Sequence, residues 1–232
     1  MLFSNRIIEF CSKDKLKVFE INNNSVTEKK LDLLSKQKLN RLKHIKILIC
    51  GEQIYIKIFI FPKIKIDKLD VIIRDELKNY FSIKKDIIFS FEVLEKDEEK
   101  IKVKVYFIKE EIFQRSILNN NEFVEAIYLV QFIFNDIVRQ ITLENVVICA
   151  KYNENFYFIY SEKGSISKNS VTTKNISIDK EINKFINMNR IENLNKVFFM
   201  GLQKEQIDSI NLQCDLQIIE DVAESKIINW LK

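Results

Sequence analysis

Residues 54 to 112 decide the fold of this chain, and they read IYIKIFIFPKIKIDKLDVIIRDELKNYFSIKKDIIFSFEVLEKDEEKIKVKVYFIKEEI. Isoleucine recurs at every second position from Ile54 to Ile60, as on one side of a strand, and the strand ends at Phe61-Pro62 because proline cannot donate to a sheet. Asp67 is placed to cap a helix, and two strands with a charged turn at residues 96 to 100 follow it. The pattern predicts a strand, helix, strand, strand unit. The helix stripe consists of Leu69, Ile72, Ile73, Leu77 and Tyr80, and the last two strands are Ile87 to Leu94 and the alternation of Ile101, Val103, Val105 and Phe107.

Strand patterns also precede this unit. Apolar and polar residues alternate over Ile7 to Phe10 and Leu16 to Ile21, which predicts a hairpin with its turn at Ser12 to Asp14. A helical or irregular stretch through Leu31, Leu34 and Leu39 leads to the apolar run Ile45 to Cys50, which is typical of an interior strand.

Helix and strand patterns continue after the unit. Apolar residues at helical spacing predict the longest helix of the chain from Asn121 onward. A meander of three strands, a helix capped by Asp179, a strand, a short helix, a last strand and an amphipathic tail to Trp230 complete the chain. Together the elements predict an α/β protein with mixed sheets. The long-helix positions are Phe123, Ala126, Ile127, Val130, Phe134, Ile137 and Ile141, and the strands are Asn145 to Ala150, Phe156 to Tyr160, Ser165 to Val171, Val197 to Met200 and Leu216 to Ile219.

Composition excludes several classes of site. Three glycines in 232 residues leave few positions where backbone amides can surround a phosphate. The four cysteines form no CxxC pair and the chain has one histidine, His44, so a zinc site is not expected. Isolated cysteines among aliphatic residues indicate reduced thiols and a cytosolic protein, and we expect neither a signal peptide nor a membrane-spanning segment.

The first fifty residues carry an excess of basic side chains. They contain eleven Lys or Arg and five Asp or Glu, which raises the alternative of a nucleic-acid-binding protein. Lys13, Lys15 and Lys17 alternate with apolar residues, however, and the aromatic side chains on which bases stack are missing from this alternation. We therefore interpret these lysines as the solvated face of a strand and expect no nucleic acid.

The central unit resembles the corresponding stretch of PilM, the actin-like protein of type IV pilus assembly, and of the cytoplasmic domain of GspL from type II secretion. The resemblance rests on Phe61-Pro62, on Ile73-Arg74-Asp75-Glu76, on Tyr80-Phe81 and on the alternating strand Ile101 to Ile108. It implies an actin-like (ribonuclease H-like) fold of two lobes, with a small inserted subdomain like that of PilM and FtsA. Residues 1–52 would form part of the first lobe, 53–112 the inserted subdomain, and 113–232 a long connecting helix and a reduced second lobe.

The resemblance also points to the positions of a nucleotide site. The Asp-Ile-Gly-Ser turn of ATP-binding relatives corresponds to Glu9, Phe10, Cys11 and Ser12, so a side chain replaces the glycine. The second phosphate turn should fall within Ile148 to Lys151, where Ala150 and its neighbours supply neither aspartate nor glycine, and Gly201 alone remains of a glycine pair. We expect a degenerate site with no cofactor and no catalysis, and ATP with magnesium is the alternative. A ribonuclease H-like nuclease using Asp136 with Glu9 has too few acidic residues for a metal site.

The partners implied by the resemblance belong to a pilus or secretion platform. The chain would be a cytoplasmic scaffold, peripheral at the inner face of the membrane, that binds the cytoplasmic tail of a PilN-like protein; an assembly ATPase and a homodimer are further options, and membrane contact is indirect. Trp230 either packs on the domain or precedes a membrane segment, as in GspL. The implied peptide surface consists of Phe61, Pro62, Arg74, Leu77, Tyr80 and Phe81, although Leu77 and Tyr80 also fall on the helix stripe.

Overall fold

The computed structural model describes residues 5–12, 15–22, 25–30, 45–81, 87–108, 124–173, 177–192, 194–219 and 224–231. The chain divides into two compact units, one made of Met1–Glu52 with Gln114–Lys232 and the other of Gln53–Phe113. The predicted inserted subdomain, residues 53 to 112, falls on the second unit, and the remaining two predicted segments fall on the first.

The elements follow one another in a regular order of strands and short helices. The strands are β1 (Asn5–Ser12), β2 (Lys15–Asn22), β3 (Ser25–Lys30), β4 (Ile45–Ile49), β5 (Tyr55–Pro62), β6 (Ile88–Lys96), β7 (Lys100–Ile108), β8 (Val124–Leu129), β9 (Val146–Tyr152), β10 (Asn155–Glu162), β11 (Ser165–Thr172), β12 (Lys196–Met200) and β13 (Asp215–Ile219). The helices are α1 (Ile66–Phe81), α2 (Val130–Arg139), α3 (Ile178–Met188), α4 (Lys204–Asp208) and α5 (Glu224–Trp230).

The first half of the larger unit is a five-stranded sheet in the order β3-β2-β1-β4-β8. The predicted hairpin is confirmed, since β1 and β2 pair antiparallel, and β4 pairs parallel with β1 as an interior strand whose Ile47, Leu48 and Ile49 are fully buried. Strand β3 has no counterpart among the sequence predictions. The stretch predicted through Leu31, Leu34 and Leu39 lies outside the described residues.

The second half repeats this arrangement with the order β11-β10-β9-β12-β13. Here too the first three strands form an antiparallel meander. Strand β12 then pairs parallel with the inner strand β9, and β13 pairs parallel with β12. The predicted meander and its Lys163-Gly164 turn are confirmed, and both turn residues have positive φ, 51° and 78°. One core of aliphatic and aromatic side chains joins this sheet to α3, including Val147, Phe158, Ile182, Phe185 and Phe199.

The smaller unit is a three-stranded antiparallel sheet in the order β5-β7-β6, covered on one face by α1. The helix buries Leu69, Ile73 and Leu77 against the sheet, so most of the predicted stripe is confirmed. Tyr80 is not part of it, because 60% of this side chain is exposed. Helix α1 begins at Ile66, which puts Asp67 in its first turn instead of at the cap.

Two further predictions of helix structure were wrong. Residues Val124–Leu129 form strand β8 in parallel with β4, and the helix occupies only Val130–Arg139. The run from Ala126 to Phe134, which is apolar except for Gln131, fits a buried strand as well as a helix, and pairing with the interior strand β4 decides the outcome. Likewise Ser177, not Asp179, precedes α3; Asp179 lies in the first turn, where its Oδ1 accepts a hydrogen bond from the Asn211 backbone at 3.1 Å.

The helices that the structure describes are short. Within the described residues, none of them has both the length and the continuous apolar character that crossing a bilayer requires.

Candidate functional site

The candidate site lies where β1 of the first half meets the β9–β10 turn of the second half. Glu9, in the second half of strand β1, is fully buried. Its Oε1 accepts a hydrogen bond from Asn153 Nδ2 at 2.6 Å and another from Cys50 Sγ at 3.5 Å. Asn153 holds the left-handed conformation of a tight turn, with φ of 54°. A side chain of the second half is therefore bound directly to the carboxyl group at the predicted first phosphate-turn position.

A second hydrogen bond joins the two halves beside the first. The backbone N–H of Gly51, two residues after the end of β4, donates to the Tyr157 hydroxyl at 2.7 Å. Tyr157 is fully buried, and its ring meets that of Phe134 edge to face at 5.5 Å. Gln131 Nε2, in the first turn of α2, donates to the Glu52 carbonyl. In the segment that follows β4, the Gly51 N–H and the Glu52 C=O are thus both hydrogen-bonded to side chains of the protein.

The two halves place their inner strands in matching register. Phe10 pairs with Ile49 in the first half, and Ala150 pairs with Met200 in the second. In each half the inner strand ends two residues later, at Ser12 and at Tyr152. The two predicted phosphate-turn positions are therefore at equivalent places in the two repeated halves.

By this register Cys149 is the counterpart of Glu9, and Lys151 is the counterpart of Cys11. Cys149 is fully buried, and burial raises the pKa of its thiol above the ordinary value, so the thiol stays neutral. The Lys151 ammonium lies over the Phe156 ring, 5.6 Å from its centroid. The second half therefore has a neutral thiol within the stretch Ile148 to Lys151, where the resemblance predicts the second phosphate turn.

Gly201, the remaining glycine at the predicted adenosine side, has a structural reason to be glycine. Its φ is 65°, and a Cβ on this residue would lie 2.4 Å from the Lys151 carbonyl oxygen. The end of β12 thus approaches the β9 backbone too closely for any side chain. Its presence is explained without a nucleotide.

The other predicted nucleotide-site positions lie in the same region. Cys11 sits where the register between β1 and β2 shifts, Ser12 ends β1 opposite Lys15, and Ala150 is fully buried in β9. The described residues contain no group of three His, Cys, Asp or Glu side chains that could hold a metal ion. Asp136 lies within α2, and His44 is outside the described residues.

The implied peptide surface is split between core and exterior. Leu77 is fully buried and Phe61 is 8% exposed, and both belong to the core beneath α1, so they have a packing role there. Pro62 is exposed, Arg74 is partly exposed, and Phe81 packs its ring 4.8 Å from that of Phe107. The accessible members are Pro62, Arg74 and Tyr80.

These accessible residues lie on different sides of α1. Arg74 forms an ion pair with Asp70 at 3.3 Å and lies 4.9 Å from the Phe89 ring, toward the β6 edge of the sheet. Tyr80 accepts a hydrogen bond from Lys57 Nζ at 2.8 Å, toward the β5 edge. That hydrogen bond and the Lys57 charge lower the pKa of the Tyr80 phenol below its ordinary value. One peptide groove does not bring both residues together.

Trp230 packs on the first half of the larger unit. Its ring meets Tyr128 of β8 edge to face at 6.1 Å, while Ile227, Ile228 and Leu231 are buried. Lys46 Nζ of β4 donates to the Leu231 carbonyl at 2.7 Å. The first of the two interpretations of Trp230, packing on the domain, therefore describes its position.

Sequence reasoning missed the residues that close the site. Asn153 carried a local signal, because asparagine tolerates the positive φ of a two-residue hairpin turn. That signal predicts the turn but not the bond to Glu9, which lies 144 residues away. Cys50 and Tyr157 carried the ordinary signals of core residues.

Three solved structures are similar to this chain over nearly its whole length. The PilM-PilN type IV pilus biogenesis complex matches with a TM-score of 0.62 and 11% identity, covering 98% of this chain and 94% of the other. A Bacteroides thetaiotaomicron protein described as having an actin-like ATPase fold and unknown function gives 0.55 and 13%, covering 99% and 95%. The cytoplasmic domain of EpsL, an inner membrane component of the type II secretion system of Vibrio cholerae, gives 0.57 and 9%, covering 98% and 93%. No protein-family model and no curated protein matches the sequence. The chain has the actin-like fold of these structures.

Proposed function

We propose that this chain is a non-catalytic scaffold at the inner face of the cell membrane, in a platform of the type IV pilus or type II secretion kind. It binds the cytoplasmic tail of a PilN-like membrane protein and does not hydrolyse ATP. The fold shared with PilM, seen in complex with PilN, and with the EpsL cytoplasmic domain supports this context. The chain's own residues support the loss of catalysis.

The observation that carries the proposal is the bond between Glu9 and Asn153. A phosphate approaching the β1–β2 turn would need free backbone amides and a carboxylate able to hold hydrated magnesium. Here the Glu9 carboxyl is bound by a side chain of the opposite half, and the nearby Gly51 amide is bound by Tyr157. Triphosphate binding would break these hydrogen bonds and bury charge beside the neutral thiol of Cys149.

A nucleotide titration tests the loss of the site. We expect the melting temperature of the chain to be the same with and without ATP and magnesium at millimolar concentration. A functional site would raise the free energy of unfolding by about 2.7 kcal/mol when ligand reaches one hundred times Kd. A saturable rise that needs magnesium would contradict the proposal and favour an actin-like ATPase.

A peptide titration tests the proposed binding of the PilN-like tail. A fluorescent peptide of the cytoplasmic tail of the PilN-like protein from the same organism should bind the chain, as measured by anisotropy. We expect Tyr80→Ala and Pro62→Ala to weaken binding, because both residues are exposed on the smaller unit. The matched control is Met188→Ala, which changes a side chain that is 73% exposed in the larger unit. Absence of binding by a folded chain, or equal weakening by the control, would contradict the proposal.

A further inference from the structure

The smaller unit has two outer strands that differ in how they are protected. A sheet edge exposes a row of backbone N–H and C=O groups, and proteins usually guard it with charged residues or a bulge. The β6 edge has both, since it carries Glu92, Glu95 and Lys96 and shifts register between Val93 and Glu95. Strand β6 is therefore a poor template for another strand.

The β5 edge has no bulge along its length and carries little charge. Its register with β7 is unbroken from Tyr55 to Pro62, and Lys57 is its one charged residue. Lys57 turns toward α1, where its ammonium donates to the Tyr80 hydroxyl at 2.8 Å and lies 4.1 Å from the ring centroid. Among the described strands, β7 alone pairs with β5.

The face of β5 that points away from α1 is apolar and accessible. Ile58 is 48% exposed and Ile60 is 62% exposed. The neighbouring lysines of β7 are balanced by β6, because Lys104 stands opposite Glu92 and Lys102 opposite Glu95. The face therefore offers an uncharged isoleucine row beside an open strand edge.

We propose that β5 is a dimerisation edge, at which two copies of this chain pair antiparallel and extend two three-stranded sheets into one of six strands. A second copy fits because the edge is complementary to itself, as a two-fold interface requires. With Ile58 opposite Ile58 of the partner subunit, isoleucines meet isoleucines on the open face and Lys57 stands opposite Phe59 of the partner subunit. This register keeps the two Lys57 charges from facing each other and leaves Pro62, which cannot donate, outside the pairing.

The oligomeric state of the full chain tests this surface. We expect sedimentation equilibrium to show a concentration-dependent dimer that is lost in the double variant Ile58→Lys with Ile60→Lys. The matched control is Leu94→Lys on the opposite edge, where the side chain is 42% exposed, and this variant should remain a dimer. All three substituted positions are exposed, and thermal melting followed by circular dichroism verifies that each variant is folded.

Cross-linking tests the register independently. Under mild oxidation with diamide, the Ile58→Cys variant should form a disulfide-linked dimer, because directly opposed residues lie within the about 4.4–6.8 Å Cα separation that a disulfide requires. In the Ile60→Cys variant the two new cysteines should not cross-link, since residue 60 faces residue 56 of the other copy. The unmodified chain measures the background cross-linking from its own cysteines. A monomer at every concentration, a dimer that survives the double lysine change, or loss of the dimer in Leu94→Lys would overturn the proposal. None of these outcomes depends on the PilN-like peptide.

Discussion

Individual residues at the predicted nucleotide positions are fixed by packing. Glu9, Ala150 and Cys149 are fully buried, and Gly201 touches the β9 backbone. Each therefore has a structural role that a return to a nucleotide-binding residue would disturb. Gly201 and Cys149 give the most direct tests, since one concerns steric fit and the other the pKa of a thiol.

Replacing Gly201 with alanine should destabilise the chain strongly. The left-handed backbone conformation costs a residue with a Cβ about 1–2 kcal/mol, and the new Cβ would also overlap the Lys151 carbonyl at 2.4 Å. We expect a loss above about 2 kcal/mol in the free energy of unfolding, measured with urea. The control is Gly164→Ala, where φ is 78° but the nearest atom, 3.0 Å away, is the flexible end of Leu143. Equal losses in both variants would show that backbone overlap is not the dominant cost.

The Cys149 thiol should resist alkylation in the folded chain. Thiolate is the reactive form, and burial raises the pKa of Cys149, so the thiolate fraction at pH 8 is far below that of an exposed cysteine. The sign is fixed, because a higher pKa means less thiolate at any given pH. Mass spectrometry after iodoacetamide treatment should find residue 149 unmodified in buffer and modified in concentrated urea. Rapid labelling in buffer would contradict its burial.

At the scale of elements, α1 separates packing residues from accessible ones. Leu77→Ala removes a fully buried side chain beneath the helix, and such changes cost about 2–5 kcal/mol. Tyr80→Ala, three positions along, alters a 60% exposed residue and should change the free energy of unfolding by no more than about 0.5 kcal/mol. Urea titrations of the two variants measure the difference. A similar loss in both would place Tyr80 in the core after all.

Local patterns were enough to predict the elements whose signals are local. The alternation of β7, the apolar stripe of α1 and the Lys163-Gly164 turn each lie within a few residues, and all three were predicted correctly. The boundary between β8 and α2 was not, because the run from Ala126 to Phe134 is apolar enough for either structure until β4 pairs with it.

The position of the candidate site remains a prediction from the resemblance, and the contacts that build the site were not predicted. The resemblance placed Glu9 and Ala150 at the two turns. The hydrogen bonds that close the region join residues 144 and 106 positions apart, namely Glu9 with Asn153 and Gly51 with Tyr157. Contacts between residues so far apart leave no pattern in a short stretch of sequence. The two hydrogen bonds can therefore be identified only from the structure.

At the scale of the larger unit, the two repeated halves are held by side chains as well as by their cores. The pairs Glu9 with Asn153 and Gly51 with Tyr157 join the two halves directly, and Lys46 holds the C-terminal helix to the first half. Because these hydrogen bonds lie within the protein, their removal should lower stability whether or not nucleotide is present.

Tyr157→Phe tests this connection with the loss of a single oxygen. The ring and its contact with Phe134 at 5.5 Å remain, but the Gly51 N–H loses the acceptor at 2.7 Å. Leaving a partly buried donor without this acceptor should cost about 1–3 kcal/mol in the free energy of unfolding. The control is Tyr160→Phe on the same strand, where the side chain is 8% exposed and its hydroxyl makes no hydrogen bond with the described residues. This change should be nearly neutral. Urea unfolding compares the two, and ATP with magnesium should restore stability to neither. A neutral Tyr157→Phe would mean that the halves are held by their hydrophobic cores alone, and rescue by ATP would mean that the cleft still accepts a nucleotide.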